Sequence, residues 1–309
     1  MIAAFAPATV SNVACGFDVL GFALESPGDV VAAEASERPG VEIAAIEGDQ
    51  GRLSRDPERN TAGAATLALL QRLGAARGIR LIVHKGLPLA SGVGSSGASA
   101  VAAVVAVNEL LGRPAPLEVL LECAIAGEVA GCGSAHPDNA APSLYGGFVL
   151  ARTAHPPDIV RLPVPPGLSC AVLHPQIEVE TGAARRLLGS EIPLADAVRQ
   201  WANLGALVAG LFLRDLALVS RSLEDHVAEP RRAHLVPGFA QIKKAAIRSG
   251  ALGCSLSGSG PSTFALCATL EQAHQTGAAM SEAFSSTTSL TADLWVSPVA
   301  TRGARLVAG

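Results

Sequence analysis

The 309-residue chain lacks the marks of several large protein classes. No run of like charges interrupts it, and 23 Lys and Arg stand against 27 Asp and Glu for a formal net charge of -4. A basic patch or stripe for nucleic acid is absent, so no nucleic-acid partner is expected. Aromatic residues make up only 4%. The core must therefore come from Ala, Leu, Val and Ile, with small side chains allowing close packing. No CxxC pair occurs among Cys15, Cys123, Cys132, Cys170, Cys254 and Cys267. Their spacing fits neither a zinc nor a disulfide framework, and they read as reduced, small core residues.

Long apolar runs are missing too. Mean hydropathy is high at +0.37, which would suit a membrane protein. Yet the most apolar stretch, residues 98–107, stops at Asn108 and Glu109 and is about half a bilayer span. Residues 1–24 are apolar but lack a basic leading region and carry Asn12 and Asp18, so they do not read as a signal peptide. A cytoplasmic protein with no membrane partner is the expectation.

What is present is a globular composition, 49% hydrophobic and 16% charged. The length suits two domains of about 150 residues each. Alternation of Ile79, Leu81 and Val83 predicts a strand over 79–84. A Gly/Ser-rich segment, 86–99, runs into a helical pattern over 98–111 that Gly112 and Pro114 end. A second helix covers 117–130, and a strand 145–151. Pro156, Pro157, Pro163, Pro165 and Pro166 then crowd residues 153–166, as a linker or domain edge would. A boundary is placed there, dividing the chain into 1–157 and 158–309. Beyond it the pattern predicts strands over 168–174, 263–268 and 294–298. Helices are predicted over 194–218, 239–249 (closing at Gly250) and 270–284. No internal repeat is apparent. The elements mix without the regular spacing of a doubly wound sheet, so the fold class is α+β.

Residues 88–99, PLASGVGSSGAS, are the most informative stretch. A flexible loop runs straight into a helix. Glycines let backbone approach a ligand, and the helix start offers unpaired N–H groups with positive dipole charge, which suits phosphate. Three readings compete. The plainest is a structural loop whose serines cap the helix. The second is a dinucleotide fold, since 92–97 match G-x-G-x-x-G. That fingerprint should follow its strand at once, whereas 85–91 intervene. The third is a nucleoside-triphosphate loop of a kind other than GxxxxGK[ST], which does not occur.

The pattern P-x-x-x-G-x-G-S-S-[AG]-A resembles the phosphate loop of the GHMP kinases, named for galactokinase, homoserine kinase, mevalonate kinase and phosphomevalonate kinase. Residues 6–21, APATVSNVACGFDVLG, resemble the family's N-terminal motif. Residues 253–262, GCSLSGSGPS, resemble its C-terminal glycine-rich loop. Three motifs in the right order over residues 6–262 carry the resemblance. It implies a two-domain α+β architecture: a ribosomal-S5-like N-terminal ATP-binding domain and a ferredoxin-like C-terminal domain that completes the substrate site. It also implies ATP as substrate, Mg2+ as cofactor, and a homodimer.

Two more segments resemble the branch whose acceptor is L-homoserine. They are residues 136–142, HPDNAAP, against H-x-D-N-x-A-P, and residues 229–238, EPRRAHLVPG, against E-P-x-R-x-x-L-x-P-G. Carried over position by position, Arg185 and Arg232 match the carboxylate-binding arginines, and a guanidinium fork suits that group. Asn12, Asp18, His136 and Asn139 match positions that hold the amino group and the hydroxyl. Thr181 stands where some GHMP kinases have an Asp base. A Thr takes no proton at neutral pH, so Asn139 and Asp18 would orient the hydroxyl. Glu128 and Ser96 match the Mg2+ ligands. The nucleotide side comprises Asn60, Lys85, Pro88, Ser91, Gly92, Val93, Gly94, Ser95, Ser96, Gly97, Ala98 and Ser99.

Each position has a plainer reading as a cap, a surface charge or a strand flank. Arg186 adjoins Arg185 and Arg231 adjoins Arg232, so which of each pair faces inward stays open. The chain departs from the family pattern twice. Gly97 replaces the usual first Ala of S-S-A-A, and Val13-Ala14-Cys15 replaces Leu-Gly-Pro. Other small-alcohol kinases of the family, or a catalytically inert ligand sensor on the same fold, remain alternatives.

Overall fold

A computed structural model describes residues 1–307, the side chain of Cys132 excepted. Ala- and Val-rich segments at the N-terminus form three strands: β1 (Ile2–Ser11), β2 (Leu20–Ser36) and β3 (Gly40–Glu47). Helix α1 (Thr61–Leu73) and strand β4 (Gly78–His84) follow. Next come α2 (Ser95–Leu110), α3 (Leu117–Cys132) and α4 (Pro137–Tyr145), then the hairpin β5 (Phe148–Ala154) and β6 (Pro157–Leu162). With the final strand β11 (Arg305–Val307), these strands make one sheet in the order β11-β1-β2-β4-β3. The long β2 splits its pairing, with residues 30–36 on β4 and residues 20–22 on β5.

The second part opens with β7 (Ser169–Pro175), α5 (Thr181–Arg186) and α6 (Leu194–Leu213). It continues with α7 (Leu216–Ser222), α8 (Glu229–Arg232) and α9 (Phe239–Arg248). It closes with β8 (Gly253–Leu256), β9 (Thr263–Cys267), α10 (Leu270–Thr287) and β10 (Ala292–Pro298). The antiparallel order β10-β7-β9-β8 with α9 and α10 on one face is the split βαβ arrangement of a ferredoxin-like sheet. Ile242, Ala246, Met280 and Phe284 pack on Ala171, Leu173 and Ala265 to form its core.

The apolar run at 98–107 is explained by α2, which is buried along nearly its whole length between the first sheet and its neighbouring helices. Five alanines in that run keep the helix close to the strands, and each buried Val contributes roughly 1.5–3 kcal/mol. Among the described residues no helix is long and apolar enough to cross a membrane. Cys15, Cys123, Cys170, Cys254 and Cys267 are buried free thiols, as expected. The side chain of Cys132 lies outside the described part.

Three expectations shift. The proline-crowded stretch 153–166 is not simply a linker, because Pro157 begins β6 and the first sheet continues to Leu162. Proline is tolerated there since β6 pairs only with β5 and is an edge strand. The break placed at 157/158 therefore falls inside the β5–β6 hairpin, between the first two residues of β6. The single helix over 194–218 is two, because Arg214 turns left-handed (φ 57°) and the Asp215 carboxylate caps α7 by accepting the Leu218 N–H at 3.0 Å. Helix α2 starts three residues early, at Ser95, from Gly94 at φ 71°. Only glycine serves at that position, since a Cβ would lie 2.1 Å from Thr9 Oγ1.

Candidate active site

The glycine-rich loop, the turn at 11–18, the start of α4 and the helices α5 and α8 surround one cavity of about 310 Å3. The loop is clasped by the turn between β8 and β9. The Ser257 hydroxyl donates to Gly92 O at 2.7 Å and the Ser262 hydroxyl to Ser91 O at 2.6 Å. A Cβ on Gly92 would meet Ser257 O at 2.5 Å, so the close approach needs glycine. Ser91, Gly92, Gly94, Ser95, Ser96 and Ser99 line the cavity at the positive end of α2. Pro88, Val93, Gly97 and Ala98 are not on its wall. Val93 and Ala98 are buried in the core instead, and the Pro88 carbonyl accepts the Ser91 hydroxyl at 2.8 Å.

Two residues expected on the nucleotide side have structural duties. Asn60 borders the cavity but caps α1, its Oδ1 accepting the Ala62 and Gly63 N–H groups at 3.0 and 3.4 Å. Lys85 reaches the cavity wall, yet all three donors of its ammonium go to protein oxygens: Asp29, Ser95 O at 2.9 Å and Ser99 Oγ at 2.8 Å. Its charge is compensated beneath the loop rather than left free for phosphate.

Glu128, on α3, is the anomalous carboxylate. Its Oε1 accepts the Ser96 hydroxyl at 3.1 Å, while Oε2 is buried with no hydrogen-bond partner. Burial pushes its pKa up to about 8. His136 stands beside it, Nδ1 3.9 Å from Oε1, with its other ring nitrogen 3.1 Å from Ser134 Oγ. Burial lowers the imidazole's pKa and favours its neutral form. An orphaned buried carboxylate oxygen next to a hydroxyl is a hard-oxygen donor set that fits Mg2+, which takes few protein ligands and completes its shell with phosphate and water. Among the described residues no group of three or more His, Cys, Asp or Glu could hold a metal.

At the other end, Arg185 and Asp18 form a two-pronged ion pair. Arg232, on α8, is buried; its Nε donates to Ala184 O at 3.0 Å and its Nη1 to Gly258 O at 3.4 Å. Both guanidinium groups stand over the Phe17 ring, 5.6 Å away for Arg185 and 5.3 Å for Arg232. Burial, and then the charge of Arg185, lower the pKa of Arg232. This pair, not its neighbours, faces inward. Arg186 reaches only toward Glu180 at 4.0 Å, and the Arg231 Nη1 donates to Val227 O at 2.7 Å.

The Asp18 turn is held by Asn12, whose Oδ1 accepts the Asp18 N–H at 3.0 Å and whose Nδ2 donates to Gly258 O at 2.8 Å. Asn12, Val13 and Ala14 are consecutive left-handed residues at φ 69°, 42° and 58°. Outside glycine that conformation costs roughly 1–2 kcal/mol per residue. At Ala14 the cost goes with the departure noted above, since alanine stands there in place of a glycine. The Gln200 side chain braces the turn through Cys15 O at 3.0 Å. Asn139 Oδ1 accepts the Thr9 hydroxyl at 2.9 Å, which leaves its amide N–H groups for a ligand. Thr181 completes the rim, 3.4 Å from Ser259 Oγ.

The sequence reading missed Asp138, although it lies inside the quoted H-x-D-N segment. It is buried, borders the cavity, and has a pKa raised to about 7 by burial and then by Asp18. Leu53, Val83 and Leu89, which give the cavity an apolar flank, were also missed. They come from three separate segments and carry no local signal.

Known proteins share the sequence and the fold. The model of the GHMP kinases N-terminal domain matches residues 60–147, and that of the GHMP kinases C-terminal domain matches residues 204–286. Homoserine kinase of Chlorobium phaeovibrioides is 52% identical over 314 residues, covering 98% of each chain. The chain belongs to the GHMP kinases, in the homoserine kinase family. Within it, homoserine kinase of Chlorobium phaeobacteroides is 50% identical over 315 residues, again with 98% of each chain covered. The crystal structure of homoserine kinase from Cytophaga hutchinsonii superposes with a TM-score of 0.96 at 50% identity, covering 99% of this chain and 97% of that one.

Proposed function

We propose that this GHMP kinase transfers the γ-phosphoryl group of ATP to the side-chain hydroxyl of L-homoserine, giving ADP and O-phospho-L-homoserine in threonine biosynthesis. One observation carries the reading. Two inward guanidinium groups and the Asp18 carboxylate stand in the same cavity as a helix N-terminus built for phosphate. A zwitterionic amino acid with a terminal hydroxyl matches that charge pattern. A neutral sugar or a hydroxyacid does not.

In this reading Arg185 and Arg232 bind the substrate carboxylate and Asp18 the ammonium. Asn139 orients the hydroxyl toward the γ-phosphorus, with Asn12, His136 and Thr181 shaping the pocket around it. The oxygen–phosphorus bond forms as the β–γ bridging bond breaks, and ADP leaves. Phosphoryl transfer passes through a loose transition state, so positioning and charge compensation carry most of the catalysis. No strong base is needed if the hydroxyl proton departs late. Glu128 and Ser96 would hold Mg2+, which neutralises phosphate charge when bound. The N–H groups at the start of α2 stabilise the phosphates from the other side. The intact contact between Glu128 and Ser96 supports a working enzyme over an inert sensor.

We also propose that the enzyme works in the cytoplasm, where ATP is supplied, and as a homodimer. The dimer is supported by α6. Leu194, Val198, Trp201 and Phe212 are exposed along one helical face, and Gly205 between them opens onto free space. An exposed apolar stripe of this kind marks an interface, and a two-fold axis would bury the same face on both subunits.

The test is the mass of the acceptor after incubation with ATP and Mg2+. Phosphorylated homoserine supports the proposal; ADP released with homoserine unchanged contradicts it.

A further inference from the structure

Asp29, on β2, is fully buried, is not on the cavity wall and takes no part in the mechanism above. Both of its oxygens are nonetheless committed to the phosphate loop. Oδ1 accepts the N–H groups of Gly86 and Leu87, at 3.0 and 3.1 Å, where the chain enters the loop. Oδ2 accepts the Ser99 hydroxyl at 2.6 Å, where the chain leaves it, and the Lys85 ammonium from the entry side. Lys85 passes the connection on to Ser95 O at 2.9 Å. The Ser95 hydroxyl in turn donates to Leu87 O at 3.3 Å, tying the two ends together. Gly86 lies against the β2 backbone so closely that a Cβ would meet Gly28 O at 2.2 Å.

A buried ion pair is a weak source of net stability, because desolvation offsets its attraction. A network that joins both ends of one functional loop calls for another explanation. We propose that Asp29 is a positioning residue for the phosphate loop. By fixing Gly86 and Leu87 against Ser95 and Ser99, it sets the span of the loop and so aims the N–H groups at the start of α2 at the nucleotide phosphates. The proposal rests on the nucleotide reading of this loop.

The experiment compares Asp29→Asn, and Asp29→Asn combined with Lys85→Met, with the unaltered enzyme. Calorimetry measures binding of Mg·ADP and of adenosine, steady-state assays give KM for ATP and homoserine, and thermal scanning gives Tm. Losing one charge-assisted hydrogen bond to a phosphate costs about tenfold to a hundredfold in affinity, so Asp29→Asn should weaken Mg·ADP binding by that factor. Adenosine affinity and the homoserine KM should stay within about twofold. The double variant, with no unpaired buried charge, should regain the Tm lost in Asp29→Asn without regaining affinity.

Three results would overturn the proposal. One is Mg·ADP binding by Asp29→Asn as tight as before or tighter, as expected if a freed Lys85 were a phosphate ligand. The second is recovery of Tm and affinity together in the double variant. The third is parallel loss of adenosine and Mg·ADP binding. Should Asp29→Asn not fold, the contrast between Mg·ADP and adenosine in the double variant decides. Because these binding measurements need no acceptor, an enzyme that binds Mg·ADP but leaves homoserine untouched would sink the functional reading and leave this one to be judged separately.

Discussion

Arg185 closes on Asp18 with both terminal nitrogens, Nη1 2.7 Å from Oδ2 and Nη2 2.9 Å from Oδ1. These two charges thus compensate each other. A zwitterion can enter by exchange, its carboxylate taking over Arg185 and its ammonium taking over Asp18. A ligand with only one charge leaves one member of the pair uncompensated. Charge-assisted hydrogen bonds contribute about 1.5–3 kcal/mol each. Asp18→Ala should therefore raise the homoserine KM by roughly tenfold to a hundredfold or more, with the ATP KM little changed. 4-Hydroxybutyrate and 3-aminopropan-1-ol, each lacking one charge, should be poor acceptors. A shift in the ATP KM alone would contradict this.

Glu128 sets activity against stability. Its buried Oε2 has no partner, and its ionised form is disfavoured by burial. Glu128→Gln keeps the shape and removes the charge. The Tm should rise at pH 8, where the native carboxylate is most costly, while kcat falls by roughly a hundredfold to a thousandfold, the usual loss when transition-state charge loses a stabilising group. Thermal scanning beside a Mg2+ titration of the rate checks both halves.

Asp138 gives a pH signature of definite sign. Its folded pKa of about 7 lies above the ordinary value of 3.8. Between those values the folded state binds more protons than the unfolded chain, so stability falls as pH rises. The loss begins near pH 4 and is complete above about pH 7. Asp138→Asn should flatten the decline in Tm between pH 5 and 8. Glu128, with its pKa raised to about 8 by burial, should still titrate in that variant.

The site was partly legible because its glycines are locally dictated. Gly92 and Gly94 admit no side chain, and that requirement shows in the sequence as a motif. Thr181 and Arg185, four apart on α5, share one side of a helical turn, and only the folded helix separates Arg185 from Arg186. Asp29 was invisible. It meets Lys85 across 56 residues of chain, on a strand whose neighbours give no polar pattern. The prolines at 156 and 157 misled because an edge hairpin tolerates them as well as a linker does. Lys85 was placed on the nucleotide side by its resemblance to a family position, and no local pattern foretold that its three donors go to protein acceptors.

The exposed face of α6 makes a solution prediction. If it pairs two copies, Trp201→Glu buries charge against an apolar stripe and should shift the sedimentation profile from dimer to monomer at micromolar concentration. The α-helical signal and the Tm should be largely retained, since Trp201 is 62% exposed in the single chain. A monomer before substitution, or a dimer after it, would place the interface elsewhere.

The central claim is the acceptor, and one coupled assay of ADP release with ATP and Mg2+ tests it most directly. Homoserine should be the preferred acceptor over mevalonate, galactose, serine and threonine, and its turnover should collapse in Asp18→Ala and in Arg232→Ala. Preference for another alcohol, undiminished in those variants, would contradict the account of the acceptor site while leaving the phosphate loop in place.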